Sequence, residues 1–173
     1  MVDYIQKKMK NLFLFGEQVS VLDIRSFYYL KKEIESSVKN PDEILYATGK
    51  DAVREMQKSF VKFLGNSAPL LMSDPGNALG EFIEVLNYLG LGEISIAESA
   101  PKMIKFTVRH SAEAQEFVNL RERSKFPVCH AIAGILAGVC EGVLRNPVKC
   151  TETRCISCGD DFCEFVIKKG EMG

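Results

Sequence analysis

All six cysteines of this 173-residue chain, Cys129, Cys140, Cys150, Cys155, Cys158 and Cys163, lie in its last 45 residues, and the first 128 contain none. Clustered thiols in a chain long enough to build a core point to a metal rather than to a secreted disulfide scaffold. Cys155 and Cys163 flank a turn, Ile156 to Phe162, so a tight hairpin brings their sulfurs to one end of a sheet. Glu152 stands just before Cys155 on the incoming strand. Their odd separation would place them on opposite faces of a regular strand, so a shared ion requires the chain to bend between them. Cys129 falls in the first turn of a helix expected to open at Pro127, where the dipole and free N–H groups favour a thiolate.

Three thiolates and one carboxylate would complete a four-coordinate zinc site with no open position, which is the structural kind. Its role would be to clamp the last hairpin to the start of the last helix. Cys158 forms a Cys-x-x-Cys pair with Cys155 and competes as fourth ligand. A rival chemistry is an iron–sulfur cluster on Cys155, Cys158 and Cys163 with Cys129 or Cys150, which would leave Glu152 unused. Cys140 and Cys150 otherwise read as small buried hydrophobes.

The elements that must position these groups follow from hydrophobic spacing. Asn11 to Phe15 and Val19 to Leu22 read as strands joined at Gly16-Glu17-Gln18. Ser26 to Lys39 places Phe27, Leu30, Ile34 and Val38 on one helical face. Asn40, Pro41 and Glu43 predict a capping box opening a helix to about Leu64, with Leu45, Ala52, Met56, Phe60 and Phe63 inward. Gly65 to Gly76 reads as a loop. It is followed by a helix with Leu79, Phe82, Ile83, Leu86 and Leu89 on one side and Gly90 at its end. Strands follow at Glu93 to Ala97 and Lys102 to His110, the second alternating Ile104, Phe106 and Val108 with polar residues. Ser111 to Glu122 suggests a short helix. Pro127 to Leu144 is a strong one, with Val128, Ile132, Ile135, Val139 and Val143 inward. Val148 to Cys155 and Phe162 to Lys168 close the chain as a hairpin. Strand pairs joined by short turns, not alternating βα units, indicate one α+β domain over residues 1–173, an antiparallel sheet packed against helices.

Composition narrows the function. Apolar residues make up 46% and charged residues 26%, ordinary for a folded soluble chain. Lys plus Arg total 22 against 23 Asp plus Glu, without the basic excess that phosphate neutralisation on nucleic acid calls for. No apolar run approaches the ~20 residues needed to span a bilayer. Leu12 to Phe15 is too short for a signal-peptide core, so the expectation is a cytoplasmic chain with neither nucleic-acid nor membrane partners. Gly-x-Gly-x-x-Gly, phosphate-loop and Gly-x-Ser-x-Gly patterns do not occur, which favours a non-enzymatic role.

The run Glu152-x-x-Cys155-x-x-x-Gly159-x-x-x-Cys163-x-Phe165, with Cys129 ahead of a helix bearing Gly134, Gly138 and Gly142, resembles the 4-vinyl reductase domain family. The resemblance is tight over residues 129 to 165 and rests on element order elsewhere. It implies zinc held by Cys129, Glu152, Cys155 and Cys163. It also implies a closed α+β fold shared with haem nitric-oxide sensors and with ligand-holding subunits of a vesicle-tethering complex. A homodimer and an apolar cavity that binds a small molecule are the further implications.

Together these readings give a small-molecule-binding domain of sensor or carrier type, with structural zinc and an apolar or aromatic ligand. The alternatives are a reductase acting on a vinyl-bearing tetrapyrrole and a partner-binding scaffold subunit. Phe106 and His110, on the inward face of one strand, are the candidate ligand contacts. His130 is a candidate donor to a metal thiolate. Gly134-x-x-x-Gly138 is expected to permit close packing on the sheet, and Leu70, Leu71 and Met72 to be exposed in a loop.

Overall fold

A computed structural model describes residues 12–19 and 22–169. The chain runs β1 (Leu12–Leu14), β2 (Glu17–Val19), α1 (Ile24–Ser37), α2 (Pro41–Leu64), a 3-10 turn (Gly65–Ser67), α3 (Ala68–Met72) and α4 (Pro75–Tyr88). Then come β3 (Glu93–Ala100), β4 (Met103–Arg109), α5 (Gln115–Asn119), α6 (His130–Leu144), β5 (Val148–Arg154), a 3-10 turn (Ile156–Cys158) and β6 (Cys163–Lys169). Strands β3 to β6 form one antiparallel sheet in the order β3-β4-β6-β5, and β1 pairs with β2 in a separate hairpin. The α+β architecture with an antiparallel sheet against helices is as the sequence predicts. No helix among the described residues is long and apolar enough to cross a membrane.

Helix α6 organises the molecule. Nine of its fifteen residues are buried, from Ile132 to Val143, the pattern of a helix covered on more than one side. It packs on β5 and α4 and, most extensively, on α2. Contact with α2 is backbone-close. A Cβ on Gly134 would fall on the carbonyl oxygen of Tyr46, one on Gly49 on the carbonyl of Ala131, and one on Gly138 against Val53. The glycines on α6 therefore serve helix-on-helix packing, not packing on the sheet. On the sheet side Ile104, Phe106 and Val108 of β4 and Phe165 and Ile167 of β6 present a fully buried face to Leu136, Val139 and Val143 of α6 and to Phe82 and Leu86 of α4.

Several local expectations shift. The β1–β2 turn sits at Phe15-Gly16, both left-handed (φ 52 and 84), and not at residues 16–18. Asn11, Ser20 and Val21 of the expected strands lie outside the described residues. Helix α1 is capped by Asp23, whose carboxylate accepts from the Arg25 and Ser26 amides at 3.1 Å. It buries Tyr28 and Lys31, while Leu30 and Val38 face solvent. Asn40 makes no side-chain cap, because its amide donates to Glu43 at 3.2 Å. Along α2 the buried positions are Leu45, Gly49, Val53, Gln57 and Phe60, leaving Ala52 and Phe63 exposed. The expected loop at 65–76 is largely helical. Pro69 enters the first turn of α3, and Asp74 caps α4 through the Gly76 and Asn77 amides. Of the three apolar residues there, Leu70 is exposed, whereas Leu71 and Met72 pack half-buried against the core. Leu89 also faces out. Helix α6 starts three residues after Pro127, with Cys129 as its N-cap rather than in its first turn.

Candidate metal centre

The end of the sheet where β5 and β6 turn is shaped by a bulge. Cys150 pairs with Ile167 and Glu152 with Phe165, but Arg154 then faces Glu164, so the register slips at Thr153. Thr153 secures the slip, its hydroxyl donating to the Glu164 carboxylate at 2.7 Å. One extra residue reverses the alternation, so Glu152 and Cys155 reach the same interior despite their odd spacing. The chain then makes a knuckle. The Cys158 amide donates to the Cys155 carbonyl (2.9 Å), Asp160 accepts from the Cys155 amide (2.9 Å), and Gly159 takes φ 108 before β6 begins at Cys163.

From the other side comes Cys129. Its approach is fixed by two charged side chains. Lys31 of α1 donates to the Val128 carbonyl, and Glu113 accepts from the Ile132 amide (2.8 Å) in the first turn of α6. Glu152 spans the gap, one carboxylate oxygen accepting from the Cys129 amide at 2.8 Å.

The result is a group of four donors within 4.8 Å of one another: Cys129, Glu152, Cys155 and Cys163. The sulfurs stand 3.9 Å (129–155), 3.7 Å (129–163) and 3.8 Å (155–163) apart. A disulfide requires about 2.05 Å, and all six cysteines are free thiols. A tetrahedron with ligands about 2.3 Å from its centre has edges of about 3.8 Å, which the sulfur triangle matches. The second Glu152 oxygen is buried and has no hydrogen-bond partner, an expensive arrangement for a carboxylate that a cation would relieve. These four residues fit a metal ion.

The electrostatics agree. Donation from the Cys129 and Cys163 thiols holds Cys155 far below the ordinary thiol range. Burial pushes the Cys129 thiol well up. Burial, reinforced by the Cys155 charge, pushes Glu152 up to about 8. Loading a dication would release the protons these groups retain. The serine hydroxyls of Ser111 and Ser157 lie 3.1 Å from the sulfurs of Cys129 and Cys155, and the Ile156 amide lies 3.5 Å from Cys163. Against thiolates each of these donates, which orients the sulfur and lowers its charge density. Neither serine is visible as a site residue in the sequence, since Ser111 acts from the end of β4. Lys31 and Glu113 leave one trace, charges at positions that the surrounding helix and turn bury.

Cys158 is half-buried on the knuckle and lies outside the four-donor group, as do the buried Cys140 and Cys150. Only three thiols therefore converge among the described residues, one fewer than a four-thiolate cluster uses. His130 turns away to Asp42 of α2 (3.2 Å).

Two cavities flank the fold. A groove of about 560 Å³ lies between α2, α3, α4 and α6, lined by Val61, Met72, Phe82 and Gly142 with Gln57 and a rim of Arg54, Lys58 and Lys62. A cleft of about 690 Å³ lies outside the knuckle. Phe106 lines neither and is wholly enclosed in the core. His110 does not continue the inward face of β4. It leaves the strand in the left-handed region (φ 52), is exposed, and lines the cleft.

Comparison with known proteins places this arrangement. Residues 105–169 match the model of the 4-vinyl reductase domain. Among curated proteins, the uncharacterised Methanocaldococcus jannaschii protein MJ0150 is 28% identical over 127 residues, 73% of this chain. The chain spans 64% of that relative's length. The phenol-responsive sensory domain of the transcription activator PoxR, solved with phenol, superposes with a TM-score of 0.78 at 14% identity, covering 97% of this chain and 88% of that one. Trafficking protein particle complex subunit 3 from Naegleria fowleri, covalently bound to palmitic acid, superposes with a TM-score of 0.61 at 15% identity, covering 86% and 93%. The structural likenesses share the fold, and the matched segment holds all four donors. Through residues 105–169 the chain belongs to the 4-vinyl reductase domain family.

Proposed function

We propose that this chain is a small-molecule-binding domain of sensor or carrier type, in which a zinc ion is structural and an apolar or aromatic ligand enters the groove between α2, α3, α4 and α6. The observation that carries the reading is the groove. Its floor is Phe82, Met72 and Val61, and its volume, about 560 Å³, falls in the range of small-molecule sites. Gly142 opens it, because a side chain there would meet Gln57. The phenol and palmitic acid held by the two fold relatives support ligands of this class. The donor set supports a structural metal. Three thiolates and Glu152 fill four positions, and Cys129, Cys155 and Cys163 are wholly buried, so no substrate position remains. Zinc there would fix the end of the sheet to the start of α6. The assembly expected with this reading is a homodimer, which sedimentation would measure.

The test is native mass spectrometry of the purified chain with thermal melting in phenol or palmitate. A retained organic mass, or a melting temperature raised by either probe and no longer raised in Met72→Glu, is the expected result. A clean mass and unchanged melting with both probes would overturn the reading.

A further inference from the structure

The cleft outside the knuckle has a different chemistry from the apolar groove. Three elements deliver arginines to it: Arg109 at the end of β4, Arg121 just after α5, and Arg123 on the segment that crosses the knuckle. That segment is pinned, the Ser124 amide donating to the Ser157 carbonyl at 2.9 Å. Arg123 lies directly on Gly159, where a Cβ would overlap its guanidinium. Gly159 thus serves both the left-handed turn and the seat of Arg123. Arg121 itself holds a left-handed backbone (φ 57).

Elsewhere on the surface, Arg25 and Arg54 are paired with carboxylates, Glu116 at 2.8 Å and Glu141 at 2.9 Å. Arg109, Arg121 and Arg123 form no ion pair among the described residues. The cleft does contain carboxylates, but two are already engaged. Glu122 accepts from the Tyr28 hydroxyl at 2.7 Å, and Asp160 accepts from the Cys155 amide at 2.9 Å. Asp161 alone is left to oppose three guanidinium groups. Val118, Ile156 and Phe162 supply apolar wall between them.

We infer that this cleft is a second ligand site, separate from the apolar groove, and that it takes a small organic anion, a phosphate ester or carboxylate on an apolar body. Guanidinium forks match the oxygens of both groups in paired hydrogen bonds. The volume, about 690 Å³, suits a small ligand. The anion lies between Arg109, Arg121 and Arg123, and its body rests on Ile156 and Phe162. The ligand therefore touches the outer face of the same knuckle that carries Cys155 and Cys163.

The test is amide NMR titration of the zinc-loaded full chain with phenyl phosphate, benzoate, inorganic phosphate and phenol. Phenyl phosphate or benzoate should shift the amides of residues 109–110, 121–124 and 156–162. In R121Q/R123Q, whose changes are at exposed positions, the affinity should fall about tenfold or more. Phenol shifts confined to α2, α3 and α4 would report on the apolar groove, so the two sites can fail independently. The inference is overturned if neither organic anion shifts the cleft amides at roughly 10 mM, or if the double variant binds unchanged. Inorganic phosphate binding as tightly as phenyl phosphate would overturn the organic body.

Discussion

Lys31 and Glu113 form an ion pair in the interior, Nζ to Oε1 3.2 Å apart, with 1% and 0% of their side chains exposed. Each also holds backbone beside Cys129, Lys31 the Val128 carbonyl and Glu113 the Ile132 amide. The pair therefore ties α1 to the start of α6, where a metal ligand is presented. Removing one partner strands the other charge in the core, which costs about 3–5 kcal/mol. Lys31→Met and Glu113→Gln should each lower stability by that order in urea unfolding. Lys31→Met/Glu113→Leu should lose much less than the sum. Full additivity would show that the two charges do not act as a pair.

The four donors separate cleanly from the remaining cysteines by substitution. Cys155→Ser removes one corner of the sulfur triangle and should abolish zinc content and lower the melting temperature. Cys158→Ser should leave both unchanged, because Cys158 lies outside the group. Zinc affinity of the unaltered chain should rise with pH, since Cys129 and Glu152 must lose protons to bind. Elemental analysis of the three proteins decides the matter. Full zinc in Cys155→Ser would remove it from the ligand set.

The centre was legible because its logic is local. The knuckle cysteines are eight residues apart, and the odd spacing from Glu152 to Cys155 demands a break in the strand, which the bulge at Thr153 provides. What escaped depends on partners distant in sequence. Apolar spacing on α1 favours Phe27, Leu30, Ile34 and Val38, yet the face that packs holds Tyr28 and Lys31. A buried lysine is readable only once Glu113, 82 residues away, is known to meet it. The start of α6 differs for the same reason, because the Val128 carbonyl belongs to Lys31. The segment 65–76 misleads through its Pro and Gly residues, which punctuate short helices here.

The glycine stripe of α6 makes a prediction that packing on the sheet would not. Gly134 faces the backbone of Tyr46 and Lys50 on α2, which cannot rotate aside. Gly142 faces the side chain of Gln57, which can. Gly134→Ala should therefore force the helices apart, at a cost of about 1–3 kcal/mol or more. Gly142→Ala should cost clearly less, because the gain in helix propensity, roughly 1 kcal/mol, offsets part of the strain. Equal losses in the two variants, measured by thermal melting, would argue against backbone contact as the cause.

Glu141 supplies the pH dependence. Burial alone would raise its pKa, but Lys50 at 2.6 Å, the Val148 amide at 3.1 Å and Arg54 at 2.9 Å outweigh it and hold the carboxyl below its ordinary 4.5. The unfolded chain binds this proton more readily than the folded one. The contribution is therefore present above about pH 4.5 and is lost as pH falls through the lowered value. Glu141→Gln should cost about 1–3 kcal/mol at pH 7 by loosening the ties between α2, α6 and the first residue of β5. Below the folded-state pKa the two proteins should converge. A stability difference that persists unchanged at pH 3 would mean that the carboxylate's shape, and not its charge, holds these elements together.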